Sequence, residues 1–317
     1  MHHLTLEQRW QLEELMSRGF SCREIGKRLK IHASTVSRER RLNRIGERYN
    51  FIVAQGVSEI RRHDASSRFR KIKNELEEKI LDGLYNLWSP EQISGRLKLK
   101  GISISPESIY RYVRKKGLRK ILRHQGKKYK PKNSEAGVSC IPERTDISAR
   151  PKIIDEKSRI GDWEGDTVIS HKSHCALMTL VDRCSKFVII RKIGRKTAEN
   201  LNSAALNALK KLKLPVHSIT FDNGKEFSKH KQLAKKLKTE IYFARPYKSC
   251  DRGLNEHTNG LIRQFLPKKF DFKDVSENNI RVIENFLNSR PRKVLNYRAP
   301  IEVIFHRLDI SPVAFHC

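Results

Sequence analysis

Acidic side chains stand at three places in the second half of this chain where local structure would hold them in the open. Asp222 closes a β-rich run at 217–222, directly before the turn pair Asn223-Gly224. Strand alternation turns Ile219 and Phe221 to a core and Asp222 away from it. Glu256 falls in the first turn of a helix expected over 255–265. At about 100° per residue it points almost opposite the apolar stripe of Leu254, Leu261 and Phe265, with Asn259, Gly260 and Arg263 on its own face. A carboxylate beside a small residue and a cation suits a site facing a phosphate. The third acid comes from Gly161-Asp162-Trp163-Glu164-Gly165-Asp166-Thr167-Val168, where period 2 puts Asp162, Glu164 and Asp166 on one strand face. Three like charges in a row are unfavourable unless a cation or a basic surface neutralises them. For any one of them a structural Lys or Arg partner is as good an account as chemistry, and spacing alone does not choose.

The elements that must position these acids read as a mixed sheet. Residues 162–170, 175–181 and 186–193 are β-rich, with Asp182-Arg183-Cys184-Ser185 as a hairpin turn. A helix over 197–213, the strand 217–222, a Lys-rich helix, a strand at 239–244 and helices over 255–265 and 276–289 follow. Three strands in sequence and then alternating helices and strands give an α/β domain with helices on the sheet faces.

The first half is helical. Thr5 with Gln8 and Ser21 with Glu24 form capping boxes, and Leu12, Leu15 and Met16 make an apolar stripe. A turn at Lys30-Ile31-His32 leads to a third helix from Ala33 to about Leu42, reading S-T-V-S-R-E-R-R over 34–41. This pattern is a helix-turn-helix, whose third helix suits groove and phosphate contacts. Ser34, Thr35 and Ser37 are the candidate base readers, with Arg38 and Arg41 reading bases or gripping phosphate. A similar pattern recurs at 75–116, where Ser89-Pro90-Glu91-Gln92 and Ser105-Pro106-Glu107 start helices; it reads as a second helix-turn-helix or a helical spacer. Residues 111–132 carry eleven Lys/Arg and no acid, a solvated arm or a phosphate-tracking linker in which Lys127, Lys128, Lys130 and Lys132 would hold backbone. The Pro-, Gly- and Ser-containing stretch 131–150 reads as a hinge.

Charge agrees with a polyanionic partner. The 317 residues hold 66 Lys+Arg against 35 Asp+Glu, a formal net charge of +31. Residues 1–150 contribute 34 basic and 17 acidic side chains and the remainder 32 and 18, so the excess is no tail. Nucleic acid is the default partner of such a surface, whereas a small acidic substrate would need only a local patch. With 38% hydrophobic residues wholesale disorder is excluded. No apolar run is long enough to span a bilayer and no signal-peptide core follows Met1, so a cytoplasmic, nucleoid-associated location is expected. The six cysteines are scattered, which favours free thiols over disulfides or structural zinc.

Five ordered motifs bring a resemblance. G-D-W-E-G-D at 161–166, F-D-N-G-x-E-F at 221–227, R-G-x-N-E-x-x-N-G-L-I-R-Q at 252–264, L-N-S-R-P-R-K at 287–293 and A-P-x-E at 299–302 resemble the catalytic domain of DDE transposases and integrases, most closely the IS-thirty family of bacterial insertion-sequence transposases. The helix-turn-helix at 21–43 and W-S-P-E-Q-I at 88–93 match as well, and the 33 residues between Asp222 and Glu256 are the spacing of that family. His257 stands where such proteins usually carry Asn, and Cys250 where an aromatic is common. Neither departure removes a ligand.

The resemblance implies an RNase H-like (integrase core) α/β domain behind all-α helix-turn-helix modules, divided as 1–66, 67–132, a linker 133–158 and 159–317. It assigns Asp166, Asp222 and Glu256 as the catalytic, metal-holding triad; Arg263, by its place on the Glu256 face, reads as a DNA contact or a simple salt-bridge partner. It implies a DNA transposase that binds its element's terminal inverted repeats and catalyses metal-dependent strand cleavage and transfer. Phosphodiester exchange accumulates negative charge at phosphorus, and two divalent ions about 3.5–4 Å apart can activate the attacking oxygen and stabilise the leaving one. Hard carboxylate oxygens suit two Mg²⁺ ions, with Mn²⁺ as a substitute. No protein nucleophile is needed: water attacks first, and the freed 3′-OH attacks target DNA next. Synapsis of two ends implies a homodimer or larger assembly on double-stranded DNA. The rival readings are a helix-turn-helix regulator with a structural acid cluster, and a domesticated, inactive copy.

Overall fold

The computed structural model of the chain describes residues 4–44, 49–68, 72–123, 141–245 and 253–310, with side chains described throughout except at 63–68. Lys127, Lys128, Lys130 and Lys132 lie outside the described residues, as do Cys140, Cys250 and Cys317. The remaining cysteines, 22, 175 and 184, are free thiols. Two compact units divide the chain, Met1–Asn74 and Glu75–Cys317.

In the first unit, α1 (Leu6–Ser17), α2 (Cys22–Leu29) and α3 (Ala33–Asn43) fall where the caps predict. Both capping boxes close, Thr5 with Gln8 and Ser21 with Glu24. Leu12, Ile25 and Val36, one from each helix, are fully buried together. The turn between α2 and α3 is so tight that a Cβ on Gly26 would stand 2.8 Å from the Ile31 carbonyl oxygen. That close backbone approach is what requires glycine there. A fourth helix, α4 (Phe51–Arg68), is absent from the sequence reading. Its apolar residues form no single stripe: Ile52 and Ile60 are each 64% exposed while Ala54 is buried, so the periodic signal is weak.

The second unit opens with α5 (Asn74–Tyr85), α6 (Pro90–Leu99) and α7 (Pro106–Lys115), the last two starting at Ser89 and Ser105 with Pro in the first turn. Ile80, Leu84, Ile93, Leu97, Ile109 and Val113 are buried, and the Tyr112 hydroxyl of α7 donates to Glu77 of α5. These helices are joined to the rest of the unit. Arg96 of α6 pairs with Glu302, the Leu87 carbonyl accepts from Arg290, and the Tyr297 ring lies where a Cβ on Gly95 would be. Residues 141–158, expected as linker, are also packed in. Ile141 joins the main core, the Thr145 carbonyl accepts from Phe243 N–H, and α8 (Lys152–Glu156) buries Ile154.

The sheet consists of β1 (Asp162–Ile169), β2 (Ala176–Asp182), β3 (Val188–Ile193), β4 (Ser218–Phe221) and β5 (Glu240–Phe243) in the order β3-β2-β1-β4-β5. β1–β2 and β2–β3 are antiparallel, β1–β4 and β4–β5 parallel. Asp182 shapes the β2–β3 turn by accepting from Cys184 N–H, Ser185 N–H and the Ser185 hydroxyl. Helices cover both faces. α9 (Ala198–Leu212), α10 (His230–Leu237) and α13 (Pro300–Leu308) pack Leu201, Ala205, Leu209, Leu233 and Ile304 onto Trp163, Met178, Leu180, Ile189, Ile219 and Phe221. α11 (Gly253–Phe265) and α12 (Glu277–Asn288) pack Leu261, Ile262, Ile280, Ile283 and Leu287 onto Val168, Leu177, Val181, Val188 and Ile190. The helix α13 goes beyond the sequence reading, which had A-P-x-E as a motif without an element.

Candidate active site

Alternation along β1 decides where its acids point. Val168 belongs to the core under α11 and α12, so Asp162, Glu164 and Asp166 share that face, while Trp163 packs on the other. Gly165 has no room for a side chain, because a Cβ would sit 2.2 Å from the Phe221 ring. Phe221 therefore marks the far face of β4, and Ser218, Thr220 and, by continued alternation, Asp222 turn to the side of the acids. The parallel β1–β4 ladder confirms this as far as Glu164↔Thr220; Asp166 and Asp222 each stand two residues further along.

The three acids of β1 are buried, and they differ in what neutralises them. Asp162 accepts from Arg159 Nε at 2.8 Å and Nη2 at 3.1 Å, and from the Ser218 hydroxyl at 2.7 Å. Glu164 accepts from Arg183 Nη1 at 2.5 Å. Burial pushes its carboxyl upward and Arg183 opposes the shift. Asp166 accepts from the Thr167 N–H at 2.8 Å and from Asn259 Nδ2 at 2.7 Å. Asn259 lies on α11, less than a turn past Glu256. Asn255, on the same helix, donates to the Gly165 carbonyl at 3.3 Å. These two amides seat α11 against β1, and Glu256 emerges between them, exposed, in the first turn. Asp222 is half-buried and accepts from Gly224 N–H at 3.0 Å, so the Asn-Gly turn fixes its carboxylate.

Strand β1, the end of β4 and the start of α11 thus bring Asp166, Asp222 and Glu256 to one side of the sheet. Among the described residues, however, no three His, Cys, Asp or Glu side chains are close enough together to hold a metal ion. The donor set is chemically suited to a hard divalent cation, all oxygen and all carboxylate.

Other site candidates distribute as follows. Ser34, Ser37, Arg38 and Arg41 are exposed on α3 and Thr35 is half-buried, with the Ser34 hydroxyl 2.7 Å from His32 Nδ1. Arg263 is engaged within the fold: Nη2 donates to the Ile169 carbonyl at 2.7 Å and the guanidinium lies over the Phe272 ring. His171 and His174 are exposed, as expected of surface residues. Two features escape the sequence reading. Asn259 holds Asp166, although its place on the Glu256 face is the only signal the sequence offers. Glu226, inside F-D-N-G-x-E-F, is buried and bonded to the Thr167 hydroxyl at 2.9 Å and Lys196 at 2.7 Å, a bracing role on the opposite face. His257 sits among Arg292, Arg123 and Arg290; burial, then those charges, lower its imidazole pKa.

Comparisons with known proteins bear on the domains and the family. Residues 157–249 match the integrase core domain model and residues 1–41 a helix-turn-helix domain model. The chain is 41% identical over 323 residues to the transposase for insertion sequence element IS4351 of Bacteroides fragilis, covering 99% of this chain and 98% of that one. It is 35% identical to the transposase InsI for IS30C of Escherichia coli K12, covering 95% and 83%. The catalytic core domain of BIV integrase overlays 47% of this chain and 93% of its own, at 21% identity and a TM-score of 0.37. Helix-turn-helix module, RNase H-like integrase core and near-complete coverage lead to one conclusion: the chain belongs to the family of insertion-sequence transposases that includes those of IS4351 and IS30.

Proposed function

We propose that this protein recognises the terminal inverted repeats of its own insertion sequence and cuts and joins DNA there, with Asp166, Asp222 and Glu256 as the catalytic carboxylates. The observation that supports the triad is placement: Asp166 accepts from Asn259 of the helix that presents Glu256, while Asp162 and Glu164, further back on β1, are engaged by Arg159 and Arg183. The division of labour follows the sequence: 1–66 reads DNA, 67–132 adds grip, 133–158 connects with its part from 141 onward packed against the catalytic domain, and 159–317 does the chemistry. The partner is double-stranded DNA, and a homodimer or larger assembly holds two ends together.

Magnesium, or manganese in its place, would supply an activated attacking oxygen and a stabilised leaving oxygen when a pair of ions is held by the three carboxylates. The residues of the chain set the stage for that. Thr167 N–H and Asn259 orient Asp166, the Asn223-Gly224 turn orients Asp222, and the seat of α11 on β1 sets the height of Glu256. The water that hydrolyses the end, and then the freed 3′-OH, serves as nucleophile. Incubating the full chain with a plasmid bearing the element's ends should give nicks at those ends with Mg²⁺ and none with chelator; specific binding without nicking would mark a regulator instead.

End recognition falls to α3. Its early residues would meet base edges, and Arg38 projects from its exposed face. Arg38→Ala should weaken binding to the cognate end by roughly 1–3 kcal/mol if the contact is to a base. Titration against end and random duplexes checks this: equal weakening on both would make Arg38 a backbone contact.

A further inference from the structure

Two of the carboxylates assigned to metal stand past the end of the ladder that joins their strands. The parallel pairing of β1 with β4 runs to Glu164↔Thr220, and Asp166 and Asp222 each lie two residues further on. Each accepts from a backbone N–H just after it, Asp166 from Thr167 at 2.8 Å and Asp222 from Gly224 at 3.0 Å. One side chain touches both of those neighbours. Glu226 is 7% exposed, and its Oε1 accepts from the Thr167 hydroxyl at 2.9 Å and from Lys196 Nζ at 2.7 Å. Its Oε2 lies 2.5 Å from where a Cβ on Gly224 would be, so the carboxylate folds back over the Asn223-Gly224 turn. The next residue anchors it there. The Phe227 ring stacks on Phe221 with centroids 4.2 Å apart, and Phe221 fills the space over Gly165.

A buried carboxylate is costly unless it is paired and hydrogen-bonded, so Lys196 and Thr167 both hold Glu226 in this place. Thr167 alternates with Asp166 along β1, and Glu226 therefore meets it on the face turned away from the triad. We propose that Glu226 is a positioning residue, a bracket that fixes the separation of Asp166 and Asp222 by holding Thr167 and the Gly224 turn together. Ligands carried by separate elements must be placed to within about 0.5 Å, and groups behind a metal ligand supply that precision. The bracket deepens the transposase reading and rests on it, because it serves the same carboxylates. Glu226 then governs metal affinity while touching neither metal nor DNA.

The test reads metal binding beside activity, on the full chain bound to a duplex of the element's terminus. Mn²⁺ is titrated and the free aquo ion followed by electron paramagnetic resonance, with the Asp222→Asn complex as the blank for ions held by DNA. Thr167→Val and Glu226→Ala should each weaken the Asp222-dependent Mn²⁺ site about ten-fold and raise the Mg²⁺ needed for half-maximal nicking by as much. The double variant should cost no more than either alone. Nicking at saturating Mg²⁺ should return to within about three-fold of wild type, whereas mere destabilisation would depress it at every metal concentration. Glu226→Gln keeps an acceptor for the Thr167 hydroxyl and should restore most of the affinity. If Glu226→Ala folds poorly, Thr167→Val, at a half-buried position, carries the comparison. Unchanged Mn²⁺ affinity in Thr167→Val would overturn the bracket, as would a loss of nicking in Glu226→Gln that excess Mg²⁺ does not restore, which would make Glu226 a ligand. Both results leave the triad standing. Mn²⁺ binding by Asp222→Asn equal to wild type would instead overturn the triad reading, and the bracket with it.

Discussion

Asp166→Asn, Asp222→Asn and Glu256→Gln should each abolish end cleavage and strand transfer while leaving end binding intact. An amide keeps the shape of the carboxylate and removes the charge that would hold a divalent ion. Stabilisation of transition-state charge by metal is worth several kcal/mol, so a loss of roughly a thousand-fold or more is expected in each variant. Asp162 and Glu164 are the informative controls, because they share the face of Asp166. Glu164→Gln leaves the buried Arg183 guanidinium with only the more distant Asp155, 3.7 Å away, as counter-charge, and breaking such a pair from one side costs up to about 3–5 kcal/mol. Its signature is therefore a lower melting temperature, with cleavage per folded molecule preserved. Asp162→Asn should do less harm, since its partner Arg159 is partly solvated. The assay incubates pre-cut and uncut ends with each of the five variants and Mg²⁺, alongside thermal melts. Strand joining by Asp166→Asn but not by folded Glu164→Gln would assign the first carboxylate to the wrong residue.

That control could be designed only with the structure, and the reason lies in the kind of information involved. Period 2 in Asp162-Trp163-Glu164-Gly165-Asp166 is local, so the shared face of the three acids is legible in the sequence. The β-rich runs, the capping boxes and the α/β order are local too, and the strands and capped helices fall within a few residues of their expected places. The partners are not local. Arg183 reaches Glu164 from the β2–β3 turn, Asn259 reaches Asp166 from 93 residues away, and Arg96 reaches Glu302 across 206. The motif L-N-S-R-P-R-K is visible as a string, but the burial of Arg290 and Arg292 is a consequence of packing that no periodicity encodes. α4 was hidden for a different reason: a helix that buries Ala54 and Ser58 while exposing Ile52 and Ile60 has no clean apolar stripe. The resemblance to a transposase family named the triad; the geometry adds that its two β1 neighbours are engaged by arginines.

The second large effect concerns the first unit. Its core has a buried charge pair where apolar side chains would be ordinary. Arg9 of α1 is 1% exposed and donates to both Glu39 oxygens, Nε at 2.7 Å and Nη2 at 3.3 Å. The same guanidinium donates to the Leu4 carbonyl, Gln55 and Ser58, and the Tyr49 hydroxyl donates to Glu39. One side chain thereby ties α1 to α3 and α4, and Glu39 is the neighbour of Arg38 on the helix assigned to read DNA. Glu39→Gln leaves the guanidinium buried without its counter-charge, which should destabilise this unit by about 3–5 kcal/mol. Amide hydrogen exchange should show α1–α4 losing protection together, with the sheet of the second unit protected as before. End binding should fall with the protection, through loss of the helix that reads DNA rather than of any DNA contact. The double variant Arg9→Met, Glu39→Leu separates the causes. Removing both charges is often neutral or stabilising, so protection should return. If Glu39→Gln leaves exchange in α1–α4 unchanged, the pair does not hold the three helices together, and the placement of Arg38 must depend on the apolar contacts of Leu12, Ile25 and Val36 alone.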